Sequence, residues 1–243
     1  MSYILNKHNQ KIHYKISSGK KPGIIFIHGL NSDMNGQKAI TIEKYAKKHR
    51  LNFIRFDFRG HGKSYGKFED FNISDWKNDL LDIIDNLTTG PVILIGSSMG
   101  GWVMMLAAKL RNSRIKGMIG LAAAPDCDLD LFNSFTSKNK KEINNKGITR
   151  YSSFGFDYIL KKHFFIEAKK NRILNKSFKY SKPLILIHGL KDEVVSKNVP
   201  EKILKKVTGN RIKIIYLKDG DHRLSKKDDL ETIKTSIDSM ISN

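Results

Sequence analysis

The sequence of 243 residues predicts an α/β fold in which helices flank a mostly parallel central sheet that carries a helical insert. Short apolar runs, such as 23–27 and 184–187, are typical of strands buried on both faces. Segments with the apolar spacing of a helix separate these runs, and this alternation predicts βαβ units that share one sheet. The stretch 126–180 breaks the alternation and predicts the insert.

The first half of the chain contains a predicted hairpin and three strand–helix pairs. Two apolar segments, 3–5 and 12–16, flank the polar residues 6–10, as expected for a hairpin. Ser74 is a favourable N-cap for the second helix of this half. The predicted strand–helix pairs are 23–29 with 36–49, 51–60 with 74–87, and 91–96 with 98–110.

The second half continues the sheet with three further predicted strands, 115–124, 183–189 and 211–217. Helices are expected at 199–207 and 226–241, where apolar residues recur at helical spacing.

This pattern predicts one core with one insert. We assign residues 1–125 and 181–243 to the α/β core, and residues 126–180 to a helical lid or cap. The insert shows no strand-like run and is rich in aromatic residues. Six of its phenylalanines are expected either to pack it onto the core or to line an apolar tunnel: Phe132, Phe135, Phe154, Phe156, Phe164 and Phe165.

The composition excludes several classes of function. The net charge is +20, but the lysines are scattered and lack interleaved aromatic residues, which favours a solvated surface over a nucleic-acid partner. No run of 18 apolar residues is present, so stable membrane insertion is not expected. Cys127 is the only cysteine, which excludes an intramolecular disulfide. The polar N-terminus does not resemble a signal peptide, and a cytoplasmic location is therefore expected.

One junction carries the main chemical signal. The apolar run 92–95 meets the segment GSSMG at 96–100, and a second apolar run follows directly. A buried strand that enters a buried helix through G-x-S-x-G is a nucleophile elbow. The tight turn strains the backbone of Ser98 and presents its hydroxyl at the carboxyl edge of the sheet. We therefore expect Ser98 to be a catalytic nucleophile.

A serine nucleophile needs a histidine base and an acid that orients it, in the chain order serine, acid, histidine. Asp192 follows the strand 183–189, and His222 follows the next strand, so both are expected near Ser98. Glu193, Asp219 and Asp221 are alternative carboxylates. Asp192 is preferred because the pattern G-x-x-D follows the strand directly.

The other histidines have simpler explanations. His28 and His188 each precede a glycine at a strand end, where a ring can brace the turn, and His61 lies in a loop. No cluster of residues has the spacing of metal ligands, so neither a metal nor another cofactor is expected. The histidines expected to be exposed are His8, His13, His49 and His163.

Acyl transfer also requires donors for a developing oxyanion. One is expected to be the backbone N–H of Met99, the residue after the nucleophile. The other is expected from the loop after the strand 23–27, where the segment HGLNSD positions the N–H of Leu30.

Five segments together resemble the α/β-hydrolase superfamily over nearly the whole chain: GIIFIHGLNSDMNGQKA, IRFDFRGHGKS, ILIGSSMGGW, LILIHGLKDEVV and GDHRLS. The segments MNGQKA and GSSMGGWVMMLAA further resemble the mitochondrial palmitoyl-protein thioesterases and acyl-glucuronide esterases of that superfamily and their bacterial relatives. The resemblance implies the α/β-hydrolase fold and a triad of Ser98, Asp192 and His222. It also implies cleavage of acyl thioesters or activated esters.

These observations predict a serine hydrolase that forms an acyl-enzyme and acts on small-molecule or acyl-protein esters or thioesters. Because the mitochondrial members carry a transit peptide and this sequence begins at the first strand, a bacterial-type cytoplasmic enzyme is expected. A serine peptidase or an acyltransferase would retain the same triad and stays an alternative. A binding module without catalysis is disfavoured because every triad position is filled.

Overall fold

The computed structural model describes residues 2–153 and 156–242. Within these residues, one eight-stranded sheet forms the centre of the molecule, and a two-stranded sheet lies in the insert. The strands are β1 (Ser2–Leu5), β2 (Lys11–Ser17), β3 (Lys20–Ile27), β4 (Leu51–Phe56), β5 (Val92–Ser97), β6 (Ile115–Leu121), β7 (Ile148–Ser153), β8 (Phe156–Lys161), β9 (Leu184–Gly189) and β10 (Ile212–Leu217). The α-helices are α1 (Gln37–Lys48), α2 (Ile73–Leu87), α3 (Met99–Leu110), α4 (Asp128–Asn133), α5 (Ser137–Asn145), α6 (Lys162–Lys170), α7 (Val199–Lys206) and α8 (Lys227–Ser242).

The central sheet is mostly parallel, as predicted. Its order is β1-β2-β4-β3-β5-β6-β9-β10. The N-terminal hairpin β1–β2 and the contact between β2 and β4 are antiparallel, while all later neighbours are parallel. The parallel strands therefore end at a common carboxyl edge, where loops from separate parts of the chain meet.

Two apolar layers cover the sheet, and β5 contributes to both because successive side chains of a strand point to opposite faces. Leu94 lies in the cluster that includes Trp76 of α2 and Trp102 of α3. Ile93 and Ile95 lie in the other cluster, which includes residues of α1 and α8. This two-sided burial explains why β5 is apolar without alternation.

The insert is not wholly helical, which corrects the expectation for 126–180. Besides α4, α5 and α6, it contains the antiparallel hairpin β7–β8. The strand β7 escaped detection because one of its buried positions is Thr149, whose hydroxyl donates to Glu142 Oε2 at 2.7 Å. A polar residue at an inward position removes the apolar alternation that identifies a half-buried strand.

The described phenylalanines of the insert pack against one another and against the core. Phe164 lies 6.2 Å from Trp76 of α2 and 5.1 Å from Phe165, measured between ring centroids. Phe165 in turn lies 5.6 Å from Phe135 and 5.5 Å from Phe132. These contacts fit the packing role rather than a tunnel. Phe154 and the side chain of Phe156 lie outside the described residues.

A buried carboxylate at the start of the insert contacts a segment near its end. The carboxylate of Asp126 accepts the backbone N–H groups of Ile173 and Leu174 at 2.8 and 2.9 Å. Next to it, Arg172 forms an ion pair with the buried Asp128 at 2.6 Å. Residues 126–128 and 172–174 of the insert therefore lie against each other. The domain boundaries themselves stay a prediction.

No helix within residues 2–153 and 156–242 combines the length and the apolar character needed to cross a membrane.

The packing of α3 on β3 predicts that Gly100→Ala is strongly destabilising. A Cβ at position 100 would lie 2.4 Å from the carbonyl oxygens of both Ile27 and His28, which are backbone atoms that cannot turn away. We expect a loss of about 3 kcal/mol or more in the free energy of unfolding, measured by urea denaturation.

Gly36→Ala is the matched control for this prediction. A Cβ at position 36 would meet Asp33 O at 3.9 Å, an ordinary contact, and Gly36 has a φ of −57°. We expect its stability to change by less than about 1 kcal/mol. Equal stabilities of the two variants would contradict the close approach of α3 and β3.

Candidate active site

Ser98 lies in the turn between β5 and α3, in a backbone conformation that is rare outside glycine. Its φ is 54° and its ψ is −122°. Such a conformation costs on the order of 1–3 kcal/mol and persists only where surrounding contacts enforce it. Here the Ser98 N–H donates to Leu121 O at 2.9 Å, and the Ser98 carbonyl accepts the N–H of Ala124 at 3.0 Å. The turn is thus tied to the end of β6.

Glycines allow the backbone around Ser98 to pack closely. A Cβ at Gly96 would lie 2.5 Å from Gly100 O, and one at Gly101 would lie 2.6 Å from the Cβ of Ala123. A Cβ at Gly29 would lie 3.2 Å from the Cβ of Ser98 and 3.9 Å from its Oγ. The loop that follows β3 therefore passes directly beside the Ser98 hydroxyl.

His222 and Asp192 meet at the neighbouring edge of the sheet, in the loops after β10 and β9. His222 Nδ1 lies 2.9 Å from Asp192 Oδ2 and 3.1 Å from Oδ1. The Asp192 side chain is fully buried, whereas that of His222 keeps 24% of its surface exposed. Since a carboxylate only accepts hydrogen bonds, Nδ1–H of His222 is the donor.

The surroundings of Asp192 favour its ionised form. Burial raises the pKa of the Asp192 carboxyl, but the hydrogen bond and the charge of His222 lower it, as do the N–H groups of Val195 and Val194, and the net pKa lies below its ordinary value. These two N–H groups donate to Asp192 Oδ1 at 2.8 and 2.9 Å. His188, which is buried, braces the same turn, because its Nε2 lies 3.1 Å from Val195 O.

The alternative carboxylates have other surroundings. Glu193 is exposed, and Asp219 pairs with Lys191 at 2.6 Å on the surface. Asp221 accepts the N–H groups of Arg223 and Leu224 within its own loop. Among the described residues, Asp192 is the carboxylate that contacts the His222 ring.

The Ser98 hydroxyl and the His222 ring lie at the same edge, but the two described side chains form no hydrogen bond with each other. Contacts of this kind are often long in structures without substrate and tighten when substrate binds.

The two N–H groups expected to bind an oxyanion belong to segments next to Ser98. Met99 is the first residue of α3, where the helix itself provides no acceptor for the N–H. Leu30 follows Gly29 in the loop after β3, and within residues 2–153 and 156–242 no acceptor pairs with its N–H. Their role as oxyanion donors stays a prediction.

Comparison with known proteins gives this site a family context. Residues 22–146 match the family model of the alpha/beta hydrolase fold. The bovine protein named palmitoyl-protein thioesterase ABHD10, mitochondrial, is 38% identical over 232 residues, covering 94% of this chain and 76% of the relative. The chain belongs to the α/β hydrolase family.

Solved structures agree with the assignment of this chain to the family. The mouse alpha/beta hydrolase domain-containing protein 10 superimposes with a TM-score of 0.92 at 34% identity, covering 99% of this chain and 98% of the mouse chain. A putative hydrolase from Agrobacterium vitis also gives a TM-score of 0.92, at 26% identity, covering 99% and 97% of the two chains. The fold and the narrower family resemblance expected from the sequence are both confirmed.

The same comparison overturns the expected cytoplasmic location. The bovine, Pongo abelii and human relatives are all named as mitochondrial. The cytoplasmic prediction was wrong in relying on the residues at the start of the sequence, whose polarity says little about the compartment of a protein.

Two buried histidines that sequence reasoning treated only as bracing or loop residues hold the loop after β3. The N–H of Asn31 donates to His61 Nε2 at 3.2 Å, and the N–H of Phe58 donates to His28 Nε2 at 3.1 Å. His28 Nδ1 lies 2.8 Å from Gly29 O, to which it donates. Leu30 is thus flanked by residues that the two rings hold against the loop after β4.

Both histidines must be neutral to accept these N–H groups. Burial lowers the pKa of His28 to about 4, and burial together with the nearby His28 lowers the pKa of His61 to about 3. In the sequence, this role of His28 and His61 was indicated by the segments HGL and RGHG, each of which follows the carboxyl end of a predicted strand. His13 and His163, expected to be exposed, are half-buried.

Within the described part of the chain, no group of three His, Cys, Asp or Glu residues could hold a metal ion.

The buried histidines predict an acid limb in the stability of the hydrolase. Their pKa is about 6.5 in an unfolded chain and lower in the fold. At pH values between the two, the unfolded state binds more protons than the folded state. The stability they contribute is fully present above pH 6.5 and is lost as the pH falls toward 4, by up to about 1.4 kcal/mol per pH unit for each histidine. Urea denaturation between pH 5 and 7 measures this slope.

Variants separate the contribution of one histidine from that of other groups. His61→Gln should lower the slope of the free energy of unfolding against pH by the contribution of one histidine. His8→Gln, at an exposed position, should leave this slope unchanged. If both variants keep the slope of the natural protein, His61 is not buried in its neutral form.

Proposed function

We propose that this protein hydrolyses carboxylic esters or acyl thioesters, with Ser98 as nucleophile, His222 as base and Asp192 as the orienting acid. The observation that carries the proposal is the pairing of His222 Nδ1 with the buried Asp192 at 2.9 Å, at the same edge of the sheet as an elbow serine with a φ of 54°. A serine hydroxyl is a weak nucleophile by itself and requires such a base.

The proposed reaction has two halves. His222 Nε2 takes the proton of the Ser98 hydroxyl as Oγ attacks the acyl carbon, and the oxyanion accepts hydrogen bonds from the N–H groups of Leu30 and Met99. The bond to the leaving alcohol or thiol then breaks, and the protonated His222 returns the proton to it. Water activated by His222 attacks the acyl-enzyme in the same way and releases the carboxylic acid.

Asp192 acts through the imidazole of His222. By accepting the Nδ1–H, it keeps the lone pair on Nε2, where the Ser98 proton must go, and it stabilises the positive charge that develops on the ring. The lowered pKa of Asp192 supports this role, because the carboxyl stays ionised throughout the cycle.

Thioesters are the first substrate class to test. Relatives that are 38% identical to this chain are named palmitoyl-protein thioesterases, and a bacterial relative from Haemophilus influenzae is named a putative esterase/lipase. The proposed substrates are therefore small-molecule or acyl-protein thioesters and esters.

Ser98→Ala should abolish hydrolysis while leaving the fold intact, because it removes the attacking atom. Loss of a triad nucleophile costs about six orders of magnitude in turnover in a well-studied serine protease, and we expect a loss of comparable size here. Turnover of a p-nitrophenyl ester and of an acyl thioester, with circular dichroism as the check on folding, measures it.

Labelling by a fluorophosphonate provides an independent readout of the same site. The natural protein should be labelled at Ser98, and Ser98→Ala should not be labelled. Labelling at another serine, or substantial turnover by the variant, would contradict the assignment.

Asp192→Asn should lower kcat by about four orders of magnitude near neutral pH, because an amide permits the wrong tautomer of His222. Glu193→Gln is the matched control, since Glu193 is the next residue and its side chain is exposed. Steady-state kinetics of the two variants tests the pair. A large loss in Glu193→Gln with a small loss in Asp192→Asn would mean that the acid has been misassigned.

A further inference from the structure

The segment MNGQKA, between the loop after β3 and the body of α1, contacts the loop that carries His222. Lys38, in the first turn of α1, donates a hydrogen bond from Nζ to Arg223 O. Its neighbour Gln37 donates from Nε2 to Ser225 O at 3.2 Å. Two adjacent side chains of α1 thus hold carbonyl groups one and three residues beyond His222.

The His222 loop is shaped from its own side as well. Asp221 Oδ1 accepts the N–H groups of Arg223 and Leu224, at 2.9 and 3.1 Å. Leu224 is fully buried and has a φ of 47°. The carbonyl of Arg223, between Asp221 and Leu224, accepts two side-chain donors: Ser225 Oγ of the same loop at 3.0 Å, and Lys38 Nζ, which comes from α1.

Charges around Lys38 come from three elements. Asp221 and Arg223 lie in the His222 loop, Asp229 lies in the first turn of α8, and Asp192 lies in the loop after β9. The three carboxylates favour the ammonium form of Lys38, and Arg223 opposes it. Burial has the largest effect and lowers the pKa of Lys38 to about 8.

We propose that Lys38 is a positioning residue for the base: its ammonium group, held to Arg223 O and attracted by the surrounding carboxylates, sets where the His222 ring lies relative to Ser98. This inference rests on the proposed function of Ser98 and His222. Lys38 does not touch the reacting atoms. It acts through the two peptide units that separate its contact from the ring of His222.

The proposal predicts an alkaline limit to activity. The protonated form of Lys38 is present below its pKa and is lost as the pH rises through about 8, which removes the attraction to Asp221, Asp229 and Asp192. Turnover should therefore fall over this range. An arginine at the same position stays charged, since its pKa lies above about 12.

The experiment compares three variants over pH 6.5–9.5, with kcat and KM corrected for uncatalysed hydrolysis. Lys38→Met should lower kcat at pH 7 by about 10- to 100-fold with little change in KM, because a misplaced base impairs the chemical step rather than binding. Lys38→Arg should recover most of kcat and shift the alkaline limit to a pH above that of the natural protein. Lys44→Met, at an exposed position of the same helix, should match the natural protein.

Several outcomes would overturn the proposal. These are an unchanged kcat in Lys38→Met, an activity of the natural protein that is flat from pH 7 to 9.5, and an alkaline limit in Lys38→Arg that coincides with that of the natural protein. If Lys38→Met does not fold, the alkaline limit of Lys38→Arg decides alone. Fluorophosphonate labelling of Ser98 distinguishes a failure of the Lys38 proposal from a failure of the proposed function. If the natural protein is not labelled at Ser98, the triad itself is overturned.

Discussion

The strained turn at Ser98 is the constraint on which the arrangement of the site depends. A residue with a φ of 54° between a strand and a helix lets the chain reverse within a few atoms, but only if the strand, the helix and the neighbouring strand touch along their backbones. The glycines at 96, 100 and 101 make this contact possible. Bonds from Ser98 to the end of β6 then hold the turn. Strain at one residue is thus offset by the packing of three elements.

Buried histidines hold the loops around this turn in a fixed conformation. His28 and His61 hold the loop beside Ser98, His188 holds the turn of Asp192, and each does so by pairing a ring nitrogen with the backbone. A buried donor or acceptor without a partner is costly, so these rings define the loop conformations more tightly than apolar contacts would. Loops that would otherwise vary are in this way made part of the rigid sheet edge.

The core strands and helices were predictable because they are buried on both faces or on one helical face, and burial leaves a periodic pattern. The placement of Ser98, Asp192 and His222 after the ends of strands was predictable, because those ends are visible in that pattern, while their catalytic roles stay a proposal. The hairpin β7–β8 was not, since Thr149 occupies a buried position. The contact between Lys38 and Arg223 O was equally hidden, because it joins residues 185 positions apart and leaves no trace in local spacing. The compartment was mispredicted because the polarity of the first residues reflects their place in the sheet rather than the location of the protein.

The contact of Asp126 with Ile173 and Leu174 has a consequence for how such an enzyme can change over time. This carboxylate closes residues 126–174 into a loop at its base, and the loop also rests on the core through Phe164 and Trp76. Because the base is closed, exposed residues of the loop can be exchanged without pulling on β6 or β9. Selection can therefore alter the outer surface of this loop and the edge of the sheet as separate traits, with Asp126 at the border between them.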